Sequence, residues 1–277
     1  MKFKNYALFV LLVLSYSISS NNLEKVLLII NYNFAHYESI PLLKKIYSST
    51  FKNIVFYGPE HYDDVHYLKH DGGYVSYVAV VDAMKKYPDF DGYLFLMDDC
   101  ILNTWLLKNM DTTKIWFGEI SWNVGMRGIK IPLGLKFNAI DWTFWRSEYG
   151  FNAMNEAFNR LPMRYREMLT KNIGPNNVKA HYSDIAYIPA RLRDQFIEVG
   201  TIFGEQRGFL ETAFPTILAS IEPESDWVWL VGWGIDRQRV INSFRYDVYF
   251  NHPVKLSYSE NYQFIDALFN HVRSQNM

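Results

Sequence analysis

Two acids close an unbroken apolar run. Tyr93-Leu94-Phe95-Leu96-Met97 leads directly into Asp98-Asp99. In open α/β sheets ligands collect beyond the carboxyl ends of the strands. Adjacent carboxylates repel one another, so a cation beside them relieves the pair. A hard divalent ion with oxygen ligands, Mg2+ or Mn2+, suits such a pair. Its chemistry there is to hold a diphosphate and neutralise a leaving group. Taken alone, the dipeptide is read more simply as a solvated strand-to-loop turn.

Other segments offer weaker chemistry. Asp71-Gly72-Gly73-Tyr74 precedes a helical stretch. A glycine pair there lets backbone approach a diphosphate, helped by helix N–H groups, and a plain turn explains it equally well. It is neither a P-loop nor a GxGxxG fingerprint. Trp227, Trp229 and Trp233 alternate at strand spacing. They are either an acceptor platform for sugar rings or, more commonly for such a stripe, core. Cys100 has no paired base in the sequence and reads as a small buried residue.

The elements that must position these residues follow from periodicity. Val26–Ile30 is continuously apolar and reads as a strand buried on both faces. Residues 37–47 read as a helix with Pro41 near its start, and Asn53–Tyr57 as a strand stopped by Gly58-Pro59. Residues 74–87 have helical spacing before the third strand, 93–97. Strand, helix, strand, helix, strand predicts an α/β fold with a mostly parallel sheet and right-handed crossovers. Residues 115–150, with Trp116, Trp122, Trp142 and Trp145, read as short strands and loops. Beyond them the pattern predicts a helix over 152–170, a turn-rich joint at 171–179 and a short strand at 186–188. A helix opening at Pro189, one over 209–219 interrupted by Pro215, a strand over 227–233 and an amphipathic helix over 262–272 complete it.

Composition bounds the class. The 277 residues are 49% hydrophobic and 21% charged, which excludes a mainly disordered chain. A net charge of -1 gives no electrostatic support for general nucleic-acid binding. A single cysteine excludes an intramolecular disulfide and a cysteine zinc cluster. Lys2 and Lys4, the apolar run 6–14 and the small polar stretch 15–20 form a signal-peptide pattern over residues 1–20. The apolar run is short for a spanning helix, so an uncleaved anchor is the lesser alternative. The expected location is the ER or Golgi lumen, or outside the cell. Membrane contact is expected only if the segment stays as an anchor. Residues 21–277 read as a single domain.

The stretch around Asp98-Asp99, with Ile101-Leu102-Asn103 beyond it, resembles the DxD region of GT-A glycosyltransferases. Three more segments are similar to STELLO-type glycosyltransferases and their animal relatives: Ser183–Pro189, Phe209–Thr216 and His252–Ser257. With Val26–Asn33 they occur in family order and cover most of the chain after residue 20. The resemblance implies a GT-A (Rossmann-like nucleotide-diphospho-sugar transferase) three-layer fold with a mostly parallel central sheet. It implies transfer of a sugar from a nucleotide-sugar donor, usually a UDP-sugar, to a hydroxyl acceptor on a glycan, lipid or protein, with Mn2+ the usual metal and Mg2+ the substitute.

Residue roles follow from the same resemblance. Asp99 matches the last, metal-binding acid of DxD, and Asp98 the middle residue, at the nucleotide-sugar. Met97 stands where the family has its first acid, a departure that removes one contact to the ribose or metal. His252 fits the C-terminal metal ligand, and neutral imidazole suits Mn2+. Glu211 matches the acid that opens the acceptor-side helix, the catalytic base of inverting enzymes. Retaining relatives carry a similar acid, so the stereochemical outcome stays open. Asp184 matches the acid of Ser-Asp-x-x-Tyr-x-Pro and either holds the acceptor or caps a turn. Asn31 and Asn33 end the first strand, where the nucleotide base lies and side-chain amides can read its edge. Gly72 and Gly73 are the expected diphosphate approach. Two other readings remain: a chain that keeps the fold as a binding or scaffold protein without turnover, and, last, a metal-dependent hydrolase using Asp98, Asp99 and His252.

Overall fold

Val26–Asn31 (β1) is buried at every position, as an unbroken apolar run requires of a strand covered on both faces. The computed structural model describes residues 23–120, 128–133, 149–238 and 240–275. The expected signal segment and Trp122, Trp142 and Trp145 lie outside them. After β1, a single 3-10 turn at Tyr37–Ser39 leads into α1 (Ile40–Tyr47), with Pro41 in its first turn where a missing N–H costs nothing. Strands β2 (Asn53–Gly58) and β3 (Val65–Tyr67) come next, then α2 (Val78–Lys86) and β4 (Gly92–Met97), again buried throughout. Helix α2 starts later than its spacing predicts. The N–H groups of Ser76, Val78, Ala79 and Val80 bond to carbonyls three residues back, so residues 74–77 form tight turns before the α-helix begins.

The rest of the chain runs β5 (Ile101–Leu102), β6 (Trp116–Ile120), β7 (Ile129–Pro132), α3 (Asn152–Arg160), α4 (Met163–Ile173), β8 (Asn177–Ala180) and β9 (Ile185–Pro189). It closes with α5 (Arg193–Glu205), α6 (Leu210–Ile221), β10 (Val228–Gly234), α7 (Val240–Ser243), β11 (Phe250–His252) and α8 (Ser259–Gln275). Helix α6 runs unbroken through Pro215, contrary to the expected interruption, and all twelve of its residues are buried. Burial on every side outweighs the roughly 3 kcal/mol that an interior proline costs a helix.

The main sheet has the order β3-β2-β1-β4-β9-β6-β10-β11-β5, with β7 and β8 forming a separate pair. Most of its ladders are parallel; β9 runs antiparallel to both β4 and β6, and β5 antiparallel to β11. This is the α/β, mostly parallel sheet that the GT-A resemblance implies. Helix α1 links β1 to β2 on one side of β1, and α2 leads to β4 on the other, so right-handed crossovers set them on opposite faces. Helix α8 packs on α1 and α7, while α5 packs on α2, α3 and α6. The sheet between these two groups makes the third layer.

The sheet must curl. Only Asp98, Asp99 and Cys100 separate β4 from β5, a span of at most about 14 Å. In a flat sheet the five strand spacings from β4 to β5 would be about 24 Å. The edge carrying β11 and β5 therefore bends back toward the end of β4. Among the described residues, no helix is long and apolar enough to cross a membrane.

Candidate functional site

The strand directions put one end of the sheet to use. β1, β4, β6, β10 and β11 all point the same way, so Asn31, Asp98 and His252 lie at one end. β9 runs the other way, so its amino end, at Asp184, meets the carboxyl end of β4. Backbone hydrogen bonds join these segments. Asp98 N–H donates to the Asn31 carbonyl (3.0 Å), and Met97 N–H to the Asp184 carbonyl (2.9 Å). Val254 N–H donates to the Asp99 carbonyl (2.7 Å).

Glu211 is buried in the first turn of α6. Pro215 lies four residues on and has no N–H to give the Glu211 carbonyl. That carbonyl accepts instead from His181 N–H at 2.8 Å, docking the loop that leads to Asp184. Leu210 N–H reaches the Tyr74 carbonyl (2.6 Å), which ties the start of α6 to the Gly72-Gly73 segment. The segments singled out in the sequence are therefore stitched to one another through main-chain groups.

Three side chains converge. His252 Nε2 lies 3.4 Å from Asp99 Oδ1 and 3.5 Å from Asp184 Oδ1. The other oxygen of Asp99, Oδ2, accepts from the Lys255 ammonium. Burial would depress the imidazole pKa of His252, but Asp184 and Asp99 outweigh it and hold the pKa up at about 9. The ring is therefore charged at neutral pH. Burial pushes the Asp99 carboxyl upward, and His252 and Lys255 overcome this and keep it below the usual carboxylate range. Asp98 moves the opposite way, raised by burial and by the charge of Asp99. Burial also raises Asp184, with His252 opposing. The two adjacent acids are thus driven apart, one a committed anion and the other biased toward its neutral form.

The expected Mn2+ or Mg2+ does not fit this arrangement. Among the described residues, no three His, Cys, Asp or Glu side chains are grouped so as to hold a metal ion. Both oxygens of Asp99 already face basic side chains of the chain itself, Oδ1 toward His252 and Oδ2 toward Lys255.

Asn31 is wholly buried, its amide Nδ2 3.9 Å from the Met97 sulfur. Its carbonyl holds Asp98. Asn33 and Gly73 do come together. The Asn33 amide packs so closely on Gly73 that a Cβ there would fall 1.9 Å from Asn33 Oδ1. Gly72 faces open space, and His70 Nδ1 accepts from Gly73 N–H at 3.1 Å. The glycines sit in a 3-10 turn, not at the α-helix N-terminus that was to help them hold a phosphate.

The tryptophan platform is not formed as a unit. Trp227 and Trp229 lie over the buried Lys179 ammonium, at 5.4 and 5.3 Å, and Lys179 pairs with Glu224 at 2.5 Å. Trp233 stacks on the Arg245 guanidinium instead (4.9 Å). Cys100 is buried, and burial pushes its thiol pKa up, as its inert reading requires. Lys255 is the site residue that sequence reasoning missed. It stands three residues after His252 in a segment that was singled out for its histidine.

No family model matches the chain. It is 23% identical over 180 residues to the Arabidopsis thaliana protein named "Probable glycosyltransferase STELLO2", covering 64% of this chain and 22% of that protein. Its similarity to "Probable glycosyltransferase STELLO1" of the same plant is 24% over the same length and shares. The chain thus spans about a fifth of the length of these curated relatives. A solved glycosyltransferase involved in the glycosylation of the major capsid of PBCV-1 aligns with 87% of this chain and 99% of its own. Its TM-score is 0.39 at 10% identity, too loose a likeness to carry an argument. In sequence, then, the chain resembles glycosyltransferases of the STELLO type, and its mostly parallel α/β sheet is of the kind that resemblance implies.

Proposed function

We propose that this chain is a glycosyltransferase domain of the secretory pathway that moves a sugar from a nucleotide-sugar, a UDP-sugar by preference, to a hydroxyl of a glycan, lipid or protein. The observation that carries the reading is the convergence of Asp99, Asp184 and His252 where parallel strands end, the place where open α/β sheets take ligands. In the reaction an acceptor hydroxyl oxygen bonds to the anomeric carbon as the bond from that carbon to the diphosphate oxygen breaks. The hydroxyl proton passes to the Glu211 carboxylate, and the bonding pair leaves with the diphosphate. Asp184 keeps His252 charged and oriented from the β9 side, and Asp99 does so from the β4 side. Asn33 and the Gly72-Gly73 turn form the nucleotide side. The N-terminal signal pattern supports the secretory location.

A second reading has an observation of its own. Met97 replaces an acid, and Asp99 is already neutralised within the chain, as a binding protein without turnover would allow. Calorimetric titration of the full chain with UDP, GDP and CMP tests the first step shared by both. Binding of one nucleotide, weakened in Asp184→Asn, is expected. A folded chain that binds none overturns the transferase reading.

A further inference from the structure

The cation that neutralises a departing diphosphate need not be a metal ion, and here a side chain occupies the position. We propose that Lys255 receives the diphosphate of the donor, so that the leaving-group charge is met by the chain's own cations. The proposal rests on the transferase reading and deepens it.

Lys255 is built into the site rather than draped over it. Two residues before it, Pro253 follows His252, and Val254 N–H is bonded to the Asp99 carbonyl. The Lys255 carbonyl accepts from Asn261 Nδ2 at 3.0 Å, so its backbone is held from α8 as well. The ammonium rests on Asp99 with 38% of the side chain still exposed. An ammonium has three donors, and Asp99 is its one carboxylate partner among the described ion pairs. That exposure leaves room for a further contact to the ammonium.

A second cation stands beside it. Asn261 Nδ2 also bonds the Arg237 carbonyl at 2.9 Å, so one amide fixes both basic residues. Arg237 is exposed, and its charge works against that of Lys255. A diphosphate carries enough charge to answer both cations. Asp99 then serves to hold Lys255 in place, and the Met97 departure follows: with no ion to bind, the first acid of the pattern has no ligand to supply.

The test is calorimetry on the full chain with UDP and, as the probe lacking phosphate, uridine, each in chelator and in Mn2+. UDP is expected to bind in chelator, with an affinity that Mn2+ changes by less than about threefold. Lys255→Met is expected to weaken UDP by roughly ten- to a hundredfold, the loss of a charge-assisted contact, and to leave uridine unchanged. Lys255→Arg keeps the charge and is expected to retain UDP binding, which separates lost charge from lost folding. UDP binding that requires Mn2+, or that Lys255→Met leaves intact, overturns the proposal while the transferase reading stands. A folded chain that binds none of UDP, GDP and CMP in either condition overturns that reading itself.

Discussion

The charge on His252 makes the stability of the fold depend on alkaline pH. Its folded pKa of about 9 lies above the value of about 6.5 for a free imidazole. A group whose pKa is raised on folding contributes stability fully below its unfolded pKa. That contribution is lost as pH rises through the folded one. The gap is worth on the order of 3 kcal/mol, most of it still present at pH 7 and little of it at pH 9. The side chain is only 17% exposed, so water screens little of this. Urea unfolding of the wild type and of His252→Gln across pH 6 to 10 reads it directly. The difference between the two should shrink by about 2 kcal/mol between pH 7 and pH 9. A difference that stays level would mean that the imidazole is neutral in the folded chain, and that Asp99 and Asp184 are not its partners.

Two further perturbations probe the scaffold. Gly73→Ala meets both a φ of +95° and the Asn33 amide, whereas Gly72→Ala meets a φ of +66° in open space. The first should cost about 2–3 kcal/mol and the second about 1 in thermal unfolding, and equal costs would remove the Asn33 contact from the account. In Pro215→Ala a new N–H becomes available to the Glu211 carbonyl and competes with the His181 amide. Hydrogen exchange at His181 should quicken; unchanged protection would show that the missing donor is not what docks the 181–184 loop.

Strands buried on both faces were legible because their sequences cannot alternate. β1 and β4 appear as unbroken apolar runs, and the acids that follow β4 mark its end without ambiguity. What local pattern does not encode is which distant segment pairs with which. Insertion of β9 antiparallel beside β4 brings Asp184 to the end of β4, and nothing within residues 185–189 announces that direction. The curl that carries His252 to Asp99 follows from a three-residue link whose consequence appears only once the strand order is known. Pro215 misled because helix propensity was read without the burial that overrides it. Lys255 was passed over because a lysine has no special spacing, and its role depends on the carboxylate it faces. Asn31 and Asn33 sit two residues apart at one strand end, yet the first points into the sheet beside Met97 and the second reaches Gly73.

The central claim is that this end of the sheet cleaves a nucleotide-sugar. It is tested most directly by incubating the full chain with a panel of UDP-sugars and measuring release of UDP, with glycan, lipid and peptide acceptors as well as water, for wild type and Glu211→Gln. Release of UDP from at least one donor by the wild type, greatly slowed in Glu211→Gln although that variant still binds the donor, is the result predicted. Donor binding with no UDP released by the folded wild type would contradict it and leave a protein that binds nucleotide-sugars without turning them over.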